Sequence, residues 1–527
     1  MKRILTTVVF IMSFIGVLSA QEQITLHWGD FNSNTQYNTS VIGHVWVDGV
    51  RLDSDTYEIG AFVGNECRGA SLLYHDQIPG YWIQFAIHFE TSGETATFKL
   101  YDHSENLEMD LYCANSLTLG PETVGGIDGN SAYVVNFYTP FYKEITGHDG
   151  NDASGWSLIS SPVGALDPAN VGNLVASTVA DFDLYRFNQS ADAEWENWKK
   201  EGDHYHFNLE PGRGYLYANK NTVNLRFGGV PYDGNGEVNL IYDSGKDFAG
   251  WNLIGNPFPT EAYIDRPYYK MTDDGDGFLE VNENYASTPI PVCTGILVKA
   301  GGTGEKVTFT QPSDKPGQEP GRGNLRVVVA EAGTRSEAML DKAVVSFNEN
   351  DRIEKFVFNE SRSKLYIPQG DKDYAIAYSE RRGETPLCFK ATKVGSYTIT
   401  VNSQDVEMEY LHLIDNLTGA NVDLLATPSY TFEAGLNDYA SRFRLVYWAE
   451  SENAELTGEE FAYISNGEII VNGTGTIQVT DVLGRILFSQ TNSTVNGQLS
   501  TANFESGVYV LRLINGDQER TQKIVLP

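Results

Sequence analysis

Tyr81-Trp-Ile-Gln-Phe-Ala-Ile-His-Phe-Glu90 puts Tyr81, Ile83, Phe85, Ile87 and Phe89 on one face and Gln84, His88 and Glu90 on the other. An apolar period of two over ten residues belongs to a half-buried strand, not to a helix. Ala96, Phe98 and Leu100 alternate with Thr97, Lys99 and Tyr101 in the same way. Upstream, Ile59, Ala61 and Val63 run into the turn dipeptide Gly64-Asn65 ahead of Cys67-Arg-Gly69. Short strands separated by turn signals predict an antiparallel β-sandwich over residues 21–143. Extended along the chain, the same pattern predicts an all-β protein of tandem antiparallel sandwich-like modules.

Residues 144–310 read as a duplicated β module. Gly155-Trp-Ser-Leu-Ile-Ser-Ser-Pro162 returns as Gly250-Trp-Asn-Leu-Ile-Gly-Asn-Pro257, and Leu184-Tyr-Arg-Phe187 as Tyr268-Tyr-Lys-Met271. Gly214-Tyr-Leu-Tyr-Ala218 returns as Gly295-Ile-Leu-Val298. Two copies fall short of the three or more that a solenoid needs, so they predict one pseudo-symmetric unit. The first copy alone carries a helix signal, with Asp167 as N-cap and Pro168 in the first turn, followed by Val171, Leu174 and Val175. A Pro- and Gly-rich linker at 311–323 leads into a further β-sandwich at 324–448. An acidic linker at 449–458 then precedes a small cysteine-free β module at 459–527.

Lys2-Arg3, the apolar run Ile4–Leu18 and the small residues Ser19-Ala20 have the layout of a secretory signal peptide over residues 1–20. The run is too short to span a bilayer, and no later stretch predicts a transmembrane segment in the mature chain. The whole chain has 527 residues, 37 Lys+Arg against 70 Asp+Glu, and a formal charge of −33. That balance leaves no basic surface for phosphates, which argues against nucleic acid as a partner.

The last module carries a family resemblance. Asp481-Val-Leu-Gly-Arg-Ile-Leu487, Gly507-Val-Tyr-Val-Leu-Arg-Leu513 and Thr521-Gln-Lys-Ile-Val525 resemble the type A C-terminal sorting domain of type IX secretion cargo, with Asp481, Gly484, Arg485, Gly507, Val508, Tyr509 and Lys523 at its motif positions. Ser465-Asn466-Gly467 stands where that family usually opens with Asn-Pro. The resemblance implies a small immunoglobulin-like sandwich and export through the periplasm of a Gram-negative cell. It also implies the type IX secretion machinery and its sortase-like peptidase as partners. The product would be attached to anionic lipopolysaccharide at the outer-membrane surface or released into the medium. Ile59–Gly69, Pro211–Asn219 and Leu413-Ile-Asp-Asn-Leu-Thr-Gly419 are similar to stretches of uncharacterised surface proteins of the same class.

Few residues suggest chemistry. Thr272–Glu283 approximates a calcium loop, with Asp274 and Asp276 at its third and fifth places and Glu283 at the bidentate twelfth; an Asp-Gly hairpin turn is the plainer reading. His204 and His206 would share a strand face, without a third metal ligand nearby. Trp195 and Trp198, beside Glu194 and Glu196, are candidates for stacking on sugar, against a packed hairpin. Cys67 and Cys113 lie in one expected domain of an exported chain and are the candidate disulfide, the alternative being buried thiols. No G-x-S-x-G, H-E-x-x-H or C-x-x-C occurs. The sequence therefore predicts a non-catalytic, exported adhesion or scaffold protein with a glycan or protein ligand. A glycan-binding surface protein and a hydrolase with an unrecognised site are the alternatives.

Overall fold

The computed structural model describes residues 24–75, 80–121, 134–148, 154–202, 206–272, 279–314, 323–333, 339–357, 362–404, 406–449, 461–465, 468–471, 474–481, 485–492, 497–500, 504, 507–515 and 518–526. The expected signal peptide lies outside them. Among these residues there are strands and three short 3-10 turns but no α-helix, so no helix is long and apolar enough to cross a membrane. The chain divides into two compact units, one up to Trp448 and one from Ala449.

The alternating stretch forms the strand Ile83–Phe89, antiparallel to Tyr37–Val47. Ile83, Phe85, Ile87 and Phe89 are buried while Gln84 faces water. A facing sheet runs Glu66–Leu72, Tyr57–Val63, Thr95–Asp102, Leu107–Leu111, and Ile59, Ala61, Phe98 and Leu100 close the core from that side. Buried Glu58 anchors the chain's first described residues. It accepts the amides of His27 (2.6 Å) and Trp28 (2.9 Å) and pairs with His103 Nε2 at 2.8 Å.

The duplication is realised strand for strand. The first copy orders Trp156–Ser160, Gly214–Asn219, Phe182–Phe187, Trp195–Asn197; the second orders Trp251–Gly255, Gly295–Lys299, Tyr268–Met271, Leu279–Asn282. Each adds a two-stranded ribbon, Phe141–Ile145 with Val223–Phe227 and Glu237–Asn239 with Lys306–Thr308. The copies join reciprocally. Ile159 bridges Thr294 where Ile254 bridges Arg213, and the amides of Ser160 and Gly255 donate to the carbonyls of Cys293 (3.2 Å) and Gly212 (3.1 Å). So close an approach requires Gly214, because a Cβ there would meet the Ile254 carbonyl oxygen. The helix signal gives only the 3-10 turn Pro168–Asn170, capped by Asp167 accepting from the Ala169 amide at 2.9 Å. Its continuation is captured by β bridging instead, since Gly172 exchanges backbone hydrogen bonds with Arg226.

Residues 324–449 build an eleven-stranded sheet. The strands Arg382–Lys390 and Gly395–Gln404 stand five places apart in the pairing order, about 24 Å along a flat sheet. Yet Phe389 and Tyr397 meet with ring centroids 5.0 Å apart, and Phe432 and Phe443 join them. The sheet therefore folds over on itself as a sandwich.

This region shares a core with the duplicated module. Trp251, Leu253, Tyr269, Met271 and Val281 pack in one cluster with Val344, Ile353, Phe356, Ala375 and Ile376. Trp251 meets Phe356 edge-on at 4.7 Å. Tyr269 Oη accepts from the Phe356 amide at 3.1 Å and donates to the Glu354 carbonyl at 3.3 Å. At its margin, buried Lys342 Nζ reaches Glu283 at 2.9 Å and Glu280 at 2.7 Å, with Arg326 also on Glu283. Burial opposes ionisation of Glu283, but the two cations outweigh it and hold its carboxyl below the usual range.

The second unit has two sheets around one core: Ala462–Ser465, Glu468–Val471, Gly497–Ser500, and Ile486–Asn492, Gly475–Asp481, Gly507–Asn515, Gln518–Leu526.

Two substitutions and one control test these joints by urea unfolding. Gly214→Ala should destabilise the first unit by about 1–3 kcal/mol through overpacking. Gly164→Ala, with open space around it, should leave stability within about 0.5 kcal/mol. Lys342→Ala should remove about 3–5 kcal/mol, because it breaks a buried pair and leaves charge behind.

Candidate functional site

In the second unit, the motif residues meet on neighbouring strands. Asp481 ends the strand Gly475–Asp481 and pairs in register with Tyr509, which pairs in turn with Ile524. Tyr509 is buried in the core. A polar clasp closes the turn after Asp481. The Arg485 amide and Nε donate to its two carboxylate oxygens at 2.9 and 2.6 Å, and the Asp481 amide donates to the Arg485 carbonyl at 3.1 Å. Gly484 lies outside the described residues. Gly507 opens its strand opposite Leu526, and Val508 pairs with Val525. Because side chains alternate across a strand, Val508, Val510 and Lys523 take the face opposite Tyr509. Val508, Val525, Ile486 and Leu487 are all exposed there or at the adjoining turn.

Gln522 escaped the sequence reading. It is buried, accepts the amides of Phe461 and Ala462 at 2.8 Å each, and donates to the Ala462 carbonyl at 2.5 Å, so it stitches the two sheets together. The signal was available: Gln522 shares the inward register of Ile524 and Leu526.

Elsewhere the structure corrects several expectations. Cys67 and Cys113 are unpaired. Cys67 sits on one edge strand of its sheet, Glu66–Leu72, and Cys113 just beyond the other, Leu107–Leu111. Three strand spacings, about 14 Å, separate those edges, beyond the ~7 Å limit of a disulfide. The Cys113 thiol donates to the Asn115 carbonyl at 3.0 Å instead.

Of the candidate calcium-loop residues, Asp274 and Asp276 lie outside the described residues. Tyr268–Met271 and Leu279–Asn282 form a hairpin with Tyr268 opposite Asn282, which carries Glu283 to the end remote from the turn. Its carboxylate is engaged there by Lys342 and Arg326. No cluster of three or more His, Cys, Asp or Glu suited to a metal occurs among the described residues. His204 is outside them, and His206 packs edge-on against Trp198 at 5.1 Å.

Trp195 and Trp198 do not form one platform. Trp195 packs on Phe187 (4.9 Å) against the shared core, and Trp198 on Phe182 (6.2 Å) against the first copy's own core. Their carboxylate neighbours turn inward: Glu196 pairs with Arg186 at 2.6 Å, and burial raises the Glu194 carboxyl.

The stretch Leu413–Gly419 contributes Asp415 to a buried ion pair. Arg442 clasps Asp415 with Nε (2.9 Å) and Nη2 (2.7 Å), and the Leu417 amide (2.9 Å) and Tyr430 hydroxyl (3.0 Å) complete the shell. Both side chains are almost fully buried. Burial alone would raise the Asp415 carboxyl, but these donors lower it to about 2.

Residues 460–527 match the family described as "Secretion system C-terminal sorting domain". No curated protein matches the chain. A solved structure titled "Biofilm associated protein - BSP domain" aligns over 97% of this chain and 99% of its own, at 9% identity and a TM-score of 0.15, a likeness too low to transfer fold or function. The sorting domain marks the chain as cargo exported to the cell surface or the extracellular medium.

Asp415 gives this region a specific acid sensitivity. Its carboxyl is lower in the folded than in the unfolded chain, where it is ~3.9. Its stabilisation is therefore complete above about pH 4 and drains away as the pH falls toward 2. Asp415→Asn should lose about 2–3 kcal/mol at pH 7 and flatten the acid limb of a stability profile between about pH 4 and 2.

Proposed function

We propose that residues up to Trp448 form a non-catalytic adhesion or scaffold body, delivered to the cell surface by the module that follows. The observation that carries this reading is how the body uses its buried charges. Glu196 with Arg186, Glu283 with Lys342 and Arg326, Asp341 with Lys355, and Asp415 with Arg442 are spent on one another. Groups matched in this way serve packing rather than chemistry, which asks for unmatched demand at a cleft; buried Glu194, held by the Phe248 amide, stands outside these pairs.

In this reading residues 460–527 are a type A sorting domain, read by the type IX machinery and removed by its sortase-like peptidase. The body is then fixed to anionic lipopolysaccharide or released. The acidic stretch 449–458 separates address from cargo. The upstream modules are surface-protein parts of the same class.

The test compares cells making the intact chain with cells making a chain truncated after Trp448. The truncated chain should fold, stay in the periplasm and leave attachment between cells or to a substratum at the level of cells lacking the protein. The intact chain should reach the surface or medium without its last module and raise attachment. Equal surface display of both chains would contradict the address. Display without any gain in attachment would contradict the adhesive role.

A further inference from the structure

The outer face of the second unit's four-stranded sheet carries two unlike rows of side chains. Strand register places Ile486, Thr480, Val510 and Lys523 side by side across the four strands, with Val508 next to Val525 one row further. Ile486 is 57% exposed, Val525 40% and Val508 36%. Val510 is half-buried among them, and Thr480 is buried beneath. On the other side of this strip the next row is polar. It runs Ser489, Gln478, Arg512 and Thr521, and Arg512 pairs with Glu519.

A β-bulge turns Ile486 outward. Val479 pairs with Phe488 but Thr480 with Ile486, so Leu487 is an extra residue in its strand. Without it Leu487 would stand opposite Thr480, and Ile486 would share the inward phase of Phe488. The core does not account for the strip either, because threonine would satisfy strand propensity at each of its water-facing positions. At Val525 the strip reaches the outermost strand, Gln518–Leu526. Apolar side chains beside an open strand edge favour unwanted pairing, which natural sheets suppress. An exposed apolar strip kept at such a place marks a contact surface.

We infer that Ile486, Val508, Val510 and Val525 form the surface by which a protein of the secretion machinery holds this module. The inference rests on the reading of residues 460–527 as the export address. A sorting domain acts by being bound, so it needs a surface that its own fold leaves uncovered. The strip is flat, extends over three strand spacings, about 14 Å, and has the Lys523 ammonium at its margin. It fits an apolar protein surface with a carboxylate at the rim. Anionic lipid asks for a cluster of about four to eight Lys and Arg, which the described residues of this face lack. A stable dimer buries about 1,200–2,000 Å², more than a strip of four side chains supplies. A smaller contact suits a transient partner, as cargo that must be let go requires.

The test uses the intact chain in cells that export it. Ile486→Thr, Val508→Thr and Val525→Thr together keep strand propensity and the inward core, so the melting temperature should hold. Surface display should nevertheless fall about tenfold or more, with the chain collecting in the periplasm. Gln478→Ala with Thr521→Ala, in the polar row, should leave display unchanged. A photo-crosslinking residue in place of Val525 should join the chain to an outer-membrane protein of the secretion system, and one in place of Thr521 should not. This second arm decides the matter if the triple variant does not fold. The inference is overturned if the triple variant is displayed like the intact chain while a chain truncated after Trp448 is not. Equal display of the truncated chain would overturn the address itself, and this inference with it. Crosslinks from position 525 to a second copy or to lipid would also overturn it.

Discussion

The contact of Trp251 with Phe356, and the apolar seam around it, is the constraint on which the first unit depends. Without it the duplicated module would expose the flat inner face of its second sheet, and the sandwich after it would expose Val344, Ile353 and Ile376. Joined, each covers the other. Every fully buried large side chain in such a seam is worth about 1.5–3 kcal/mol relative to exposure, so the seam outweighs any single surface contact. The ions at its margin act differently. Lys342, Glu283 and Arg326 lose hydration on burial, and their mutual attraction largely offsets that loss. They add little net stability but penalise any other registration of the two parts, because a slip would strand a charge.

The duplication shows how two copies of one sequence pattern close into one unit. Matching sequences give matching strand order, and Gly214 lets the backbones approach closely enough to bond across the pseudo-twofold axis. On one side of the joint Gln189 buries its amide against the backbone of Trp251, Phe248 and Gly250, and Asn252 bonds both backbone groups of Ile241.

Strand character was legible wherever one face met solvent, because a period of two leaves its mark only there. Tyr81–Glu90 and the quoted motifs of the last module are of this kind. Long-range geometry was not legible. Cys67 and Cys113 fall in one expected domain, but strand order sets their distance, and the order interposes two strands. Glu283 fitted a loop by spacing, yet a hairpin carries it away from the turn. Asp167 and Pro168 do begin a helical turn, and tertiary pairing of Gly172 with Arg226 ends it. The seam between Trp251 and Phe356 had no local signal, since both residues also read as ordinary core.

The central claim is that the duplicated module and the sandwich after it open as one cooperative body. Site-resolved hydrogen exchange on the mature chain addresses it most directly. Amides of Trp251–Gly255 and of Lys372–Tyr378, on the two sides of the seam, should exchange with the same opening free energy and the same denaturant dependence. Distinct free energies, with one side exchanging while the other stays protected, would contradict a shared core and return the two parts to independent domains on a string.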